Sequence, residues 1–387
     1  MKSRNREYLY LKLMTFFRYF GDCLFYGYFY LYLKSRGLME SEIGLVTAIT
    51  PVIGLLANPL WNSLSKNANS NRNIMRIITV LEGIFIILYT RVFSLELIAL
   101  ITALVAIVGT PFYNLHDGFT TTYAEVYHKN YNRIRSLGTL AYLSAILTAA
   151  VVLHLSNDNY NLLFTISGLI FISVTFWFFL IKPIDLTLIK EEKEVVRDYQ
   201  KVLKNKQFWF YMSIYFILIT IPVCADNYVS LYFTEHLNLS SSKWSLIYAS
   251  MMVCEFVLLL ILSKLKIKSD YIWMIAGITY MLRSLLLSFD LPLPFLALAA
   301  LLRGVSYAFL LHANIRMISK ICGMENVTTA LFILSIGITI IQTLSNYLFG
   351  NLIVLVGYPI FFLIIGLVGI LGNIIHLIYL SNHKFNY

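Results

Sequence analysis

The chain has 387 residues, 59% of them hydrophobic and only 13% charged, with a formal net charge of +10. A water-facing shell carries roughly 25% charged residues, so a soluble domain is excluded. Apolar runs of about 20 residues, the span of a bilayer core, recur along the whole length, and the chain reads as a polytopic membrane protein.

Twelve spans are predicted, at 8–33, 42–64, 74–91, 95–126, 132–156, 160–181, 207–233, 244–263, 271–289, 293–318, 326–350 and 357–381. The runs are continuously apolar rather than alternating, which favours helices over a barrel and an all-α fold. The first span is too long for a cleaved signal peptide and is expected to stay in the mature protein. Of the 30 Lys and Arg, 22 fall in or beside the N-terminal tail, every second loop and the C-terminal tail, against four in the other loops. Both termini are therefore expected in the cytoplasm, in a cell membrane. The positive charge is then topology and not a nucleic-acid footprint, although "KLKIK" at 264–268 suits anionic lipid. Cys23, Cys224, Cys254 and Cys322 lie in spans or near the cytoplasmic side and make no disulfide framework.

The longest polar stretch, "KPIDLTLIKEEKEVVRDYQKVLKNKQ", divides the spans six and six. It is read as a solvated cytoplasmic linker at 182–206 with amphipathic character, between bundles at 1–181 and 207–387. "YLKSRGLMESEIGL" (32–45) follows the first span as "YFTEHLNLSSSKWSL" (232–246) follows the seventh. Such duplication predicts two pseudo-symmetric six-helix bundles, a transporter architecture.

A family resemblance rests on three stretches. "GLMESEIGLVTAITPVIGLLANPLWNSLSK" (37–66) resembles the first-loop and second-helix signature of the major facilitator superfamily, in the branch of the lactose permease and the phenylpropionate and nucleoside proton symporters. "NYNRIRSLGTLAY" (130–142) is similar to that branch's entry into helix five, and "LKNKQFWF" (203–210) to its entry into helix seven. The loop between helices two and three departs from the pattern. Asn62 stands where the superfamily keeps a glycine and Lys66 where it keeps an aspartate that helps latch the outward-open state, so the latch is expected to be weaker or built differently here.

A charge at the bilayer centre costs at least ~2.5–3.5 kcal/mol, so each one is expected to face a cavity or a partner. In chain order these are Arg18, Asp22, Glu82, Asp117, Arg135, Asp226, Glu255, Arg283 and Arg303, expected to line the space between the halves. Asp22 lies one helical turn beyond Arg18, where it serves either as an added proton or substrate site or as an internal ion pair. Glu82 is central in the third span. Asp117 and Arg135 sit at similar depth either side of a cytoplasmic turn, and Tyr142 lies two turns beyond Arg135 on the same face. In the lactose permease an acid, an arginine and a tryptophan at this spacing hold the sugar, and the resemblance implies substrate binding by Asp117, Arg135 and Tyr142; an ion pair joining two helices is the alternative. Glu255 matches the permease's sugar-binding carboxylate on helix eight, and substrate recognition and proton coupling meet there in this reading; a protonated glutamic acid satisfied by a neighbouring helix is the alternative. Asp226 and Arg303 match a charge-paired Asp and Lys, and Arg283 an arginine of the proton-coupling cluster. Ser306 and Phe309 replace the permease's proton-relay histidine and glutamate, so coupling has to pass elsewhere.

His116 and His312 read as packing residues rather than ligands. Pro51, Pro59, Pro111 and Pro222 lie inside spans, where they let helices bend. No GxSxG, HExxH, Walker loop or Cys/His cluster occurs, so neither an enzyme nor an ATP-driven pump is indicated. The expected function is a monomeric secondary active transporter, with lipids and a small molecule as partners and the proton as coupling ion in place of any cofactor. It would carry a sugar-like or oligosaccharide-like solute by symport and alternating access; the alternative is an aromatic or anionic compound, nucleoside, peptide or drug, imported or exported.

Overall fold

The structure, a computed structural model, describes residues 2–185, 187, 199–262 and 269–382, apart from the side chains of 2, 3, 269–271, 311, 312 and 379–382. The central part of the 182–206 linker, the 264–268 stretch and the His312 side chain lie outside the described residues. All regular elements are helical. In the first half they are α1 (Lys2–Tyr26), α2 (Phe29–Ser35), α3 (Glu40–Leu64), α4 (Ala68–Tyr89), α5 (Leu95–Gly109), α6 (Phe112–Val126), α7 (Tyr131–Leu155) and α8 (Tyr160–Leu180). The second half holds α9 (Tyr199–Leu203), α10 (Lys206–Tyr215), α11 (Ile221–Asp226), α12 (Val229–Leu231), α13 (Ser241–Leu262), α14 (Ser269–Leu287), α15 (Leu293–Cys322) and α16 (Val327–Asn382).

Eight of the described helices are long and apolar enough to cross a membrane. One, Met324–Ile378, has 55 residues; at 1.5 Å per residue it measures about 80 Å, well over twice a bilayer core of ~30 Å. Gly357 interrupts it at φ 77° and ψ 167°, a backbone region closed to residues with a Cβ, and Pro359 follows. It is therefore long enough for two crossings. With α1/α2, α4 and α14, whose charges or shortness keep them below the apolar threshold, the set is consistent with twelve. One predicted loop is corrected: the chain at 351–356 is helical, because its apolar residues carry no turn signal before Gly357 and Asn351 bonds back to Tyr347 O at 2.8 Å.

Short polar side chains start the helices where the loops end. Asn67, Ser94, Asn130, Asn159 and Asn205 each accept a hydrogen bond from a backbone N–H two or three residues on. Proline marks the bends. Pro111 separates α5 from α6, and Pro222, which has no N–H to give, follows a π-helical turn at Phe216–Thr220 in the seventh span.

The chain divides into two compact units. The first comprises Met1–Leu38, Ile49–Lys193 and Ser240–Leu246; the second comprises Met39–Ala48, Glu194–Leu239 and Ile247–Tyr387. In sequence the units change over inside the predicted linker, and they also exchange the first residues of α3 and α13. Tyr28 hydrogen-bonds Ser245 at 2.7 Å in the first unit, while in the second Tyr358 hydrogen-bonds Glu40 at 3.0 Å and Asn346 reaches Thr47 O at 3.3 Å.

In the first unit α1 packs on α7 and α8, and α4 on α5, α6 and α8. Its core holds Leu11, Met14, Met75, Phe112, Phe119 and Phe178. Past the loop between α3 and α4, Arg72 donates to Ile181 O at 2.7 Å, Arg76 to Phe178 O at 2.8 Å, and Asn69 exchanges two hydrogen bonds with the Ile184 backbone. Basic residues thus meet the carbonyl end of α8, where the helix dipole favours them. The α4–α8 crossing is closed by glycines. A Cβ on Gly83 would lie 2.6 Å from Gly168 O, and one on Gly168 2.7 Å from Gly83 O. Backbone cannot yield there, so Gly83→Val is expected to cost about 1–3 kcal/mol or to prevent recovery of folded protein. Gly54→Ala meets only the Thr110 side chain at 3.1 Å and is the tolerated control, both read by thermal unfolding in detergent.

The second unit is built around α14, which packs on α15 and α16, with α11 and the π-helical turn also against α16. Tyr211, Trp273, Ala276, Leu310 and Met317 form its core.

Candidate functional site

Each unit buries one charge network. In the first, Arg18 and Asp22 project from the same face of α1 one turn apart, and Glu82 comes from α4. Arg18 Nη1 donates to Glu82 Oε2 at 2.7 Å and its Nη2 lies 3.2 Å from Asp22 Oδ1; all three side chains are fully buried. The guanidinium is held between the Phe112 and Phe171 rings, 4.0 Å from each centroid, a placement stabilised by attraction to both ring faces. Tyr113 donates to Asp22 Oδ2 at 2.8 Å and Tyr26 to Glu82 Oε1 at 3.2 Å. Room for Glu82 is made by Gly109 at the end of α5, where a Cβ would lie only 2.5 Å from Oε1.

Next to this triad stand the residues matched to the sugar-binding pattern. The Asp117 side chain is 42% exposed; it accepts from Tyr131 at 3.2 Å and lies 3.6 Å from His116 Nδ1. Arg135 instead donates to the Tyr19 hydroxyl. Asp117 and Arg135 thus take separate partners, although equal depth placed them together in sequence. Tyr19 joins these residues: its ring packs edge-on against Tyr113 at 5.4 Å, His116 at 6.1 Å and Tyr142 at 6.2 Å. Tyr142 also takes the Cys23 thiol on its backbone oxygen at 3.6 Å.

In the second unit Asp226 meets both arginines. Arg283 Nη1 donates to its Oδ1, and Arg303 Nε lies 3.4 Å from its Oδ2. Arg303 Nη1 is 3.9 Å from Glu255 Oε2, and that oxygen is buried with no hydrogen-bond partner among the described residues. Tyr248 and Tyr307 flank Arg303 at 5.9 and 5.6 Å from its guanidinium carbon, and the buried Tyr280 hydroxyl has no hydrogen-bond partner either. The two networks differ in balance. The second has two carboxylates and two guanidiniums, whereas the triad has two carboxylates and one.

Sequence reasoning singled out the charges but missed Tyr19, Tyr113, Phe112 and Phe171, because aromatic residues are everywhere in the spans and nothing in their spacing marks these. Among the described residues no group of three or more His, Cys, Asp or Glu is placed to hold a metal ion.

The chain is 14% identical to the nucleoside transporter NupG, whose crystal structure aligns with a TM-score of 0.81 over 97% of this chain and 98% of that one. That likeness establishes the fold. An uncharacterized transporter of Bacillus subtilis (strain 168), YwbF, is 24% identical over 230 residues, 59% of this chain and 56% of its own length. A maltose permease of Geobacillus stearothermophilus is 25% identical over 118 residues, 30% of each chain. The chain thus spans about half or less of the curated relatives it matches. The model of the MFS_1 like family matches residues 8–353. With a multi-pass helical fold shared with transporters and a family match along most of its length, the chain belongs to the MFS_1 like family of membrane transporters.

Proposed function

We propose that the protein is a proton-coupled symporter that carries a small polar solute, sugar-like or oligosaccharide-like, by alternating access. The observation that supports this is the Arg18–Asp22–Glu82 triad. With both acids ionised it holds a net charge of −1 in a place with no exposure, and an uncompensated buried charge costs several kcal/mol. One bound proton removes that excess. The triad, rather than Glu255, is therefore the coupling site in this proposal. Glu255 is a solute contact, with an unpartnered acceptor oxygen suited to a hydroxyl. In the first unit Asp117, Arg135 and Tyr142 offer an acceptor, a donor and a ring to the solute, and the 25% identity to a maltose permease agrees with that class. A second reading, a nucleoside or other aromatic solute, is favoured by the cluster of Tyr19, Tyr113 and Tyr142 rings and by the fold shared with NupG.

Purified protein in liposomes, given an inward proton gradient, is expected to accumulate either radiolabelled maltose or uridine and to lose the accumulation with a protonophore. Equilibration of either solute at a rate blind to the gradient overturns symport. The location proposed is the cell membrane, with both termini in the cytoplasm. Reporter domains fused within the 182–206 linker and after Tyr387 are expected to report cytoplasm, and an external signal at either rejects that topology.

A further inference from the structure

His116 is 1% exposed on α6. Its Nε2 lies 2.9 Å from Thr15 Oγ1, whose own hydrogen goes to Leu11 O at 2.9 Å. The hydroxyl oxygen is left as an acceptor, so Nε2 carries the imidazole hydrogen and Nδ1 presents a bare lone pair. Nδ1 is buried without a hydrogen-bond partner and faces Asp117 Oδ1 at 3.6 Å. Two acceptors that face each other repel; a proton on either makes the contact attractive and charge-assisted. The ring is not free to turn away, since Phe112 stacks on it at 5.6 Å and 20° and Tyr19 closes its edge.

The buried triad beside it is one cation short, since Arg18 alone stands against Asp22 and Glu82 with no exposure. Of the other ionisable side chains here, Tyr19 of α1 packs against the imidazole and receives Arg135 on its hydroxyl, Tyr113 packs against Tyr19, and Tyr131 of α7 donates to Asp117. Tyr19 packs on both the imidazole and Tyr113, the donor to Asp22, and so joins the contact to the triad. The missing proton thus has two places to sit, the buried triad and the His116–Asp117 contact.

We propose that His116 is a second proton station, holding on Nδ1, against the exposed Asp117, the same proton that the Asp22–Glu82 pair holds when the imidazole is neutral. A proton arriving from water reaches Asp117 first and moves to Nδ1. The imidazolium charge then keeps Asp22 ionised, and when the proton passes to the triad His116 returns to its Nε2–H form. No proton is created or lost, and the two stations are not filled together. This rests on the proton-coupled reading above.

The full chain with ¹⁵N-labelled histidine in lipid nanodiscs tests it by NMR, the His116 signals being those lost in His116→Gln among seven histidines. The expected result is an Nε2–H tautomer at high pH that becomes imidazolium as pH falls. Asp117→Asn is expected to weaken that proton binding roughly tenfold, as removal of one charge about 4 Å away does in a partly exposed place. Asp22→Asn should weaken it less, and circular dichroism confirms the fold of each variant. An Nδ1–H tautomer, or a His116 that titrates indifferently to both substitutions, overturns the station. The readout needs no solute: a coupled titration supports the station even if uptake is independent of protons, and an uncoupled one overturns it even if uptake is proton-driven.

Discussion

Arg18→Met is expected to lose about 3–5 kcal/mol of stability and all proton-driven accumulation, because it leaves Asp22 and Glu82 facing each other without a cation at zero exposure. Methionine fills the slot between Phe112 and Phe171 without a polar atom, so the loss reports charge and not a cavity. The two carboxyls then both require protons to remain buried. Replacing them as well, in Arg18→Met with Asp22→Asn and Glu82→Gln, removes the need for any charge. That triple variant is expected to regain most of the lost thermal stability while still failing to accumulate solute. Such non-additivity is the signature of one network. If Arg18→Met alone unfolds at the wild-type temperature, the triad is not the charged cluster described here.

How the sequence and the structure relate is clearest at these charges. Each was legible as a functional or paired residue, since a charge in an apolar span is too costly to be incidental. The Arg18–Asp22 contact was legible too, because four residues along a helix is one turn. Glu82 as the third member was not: it lies 64 residues away on α4, and only the α1–α8 and α4–α8 packing brings the two helices together. Asp117 and Arg135 teach the opposite lesson. Their depth follows from counting residues to the turn, but rotation about each helix axis decides which side chains face each other, and Tyr19 on a third helix takes the arginine. In the second unit the match implied an Asp226–Arg303 pair, and the structure places both Arg303 and Arg283 on the Asp226 carboxylate. Bends at Pro111 and Pro222 follow from proline chemistry, whereas the unbroken helix through 351–356 does not announce itself in so apolar a stretch. The seven-residue match to the permease's aromatic located Tyr142 but not the tyrosine between it and Arg135.

Within the second unit, the structure gives two carboxylates different surroundings. Asp226 touches both arginines, and Arg283 is 2% exposed. Asp226→Asn leaves that guanidinium buried beside a neutral amide and another cation, Arg303. It is expected to cost about 3–5 kcal/mol, measured as thermal unfolding in detergent, and Arg283→Met added to it should restore most of the loss. Among the described residues Glu255 pairs with Arg303 alone, at 3.9 Å, and its Oε2 has no hydrogen-bond partner. Glu255→Gln keeps the shape and gives up only the carboxylate. Stability is expected within about 1 kcal/mol of wild type, since the pair is long and Arg303 keeps Asp226. Solute affinity should fall by roughly a hundredfold, the effect of about 2–3 kcal/mol when a charged acceptor is lost, with the pH dependence of uptake retained because the proton resides in the first unit. Equal loss of stability in the two variants would show that Glu255 is a structural member of the arginine cluster. Loss of the pH dependence in Glu255→Gln, with affinity intact, would move the proton from the Asp22–Glu82 pair to this side chain.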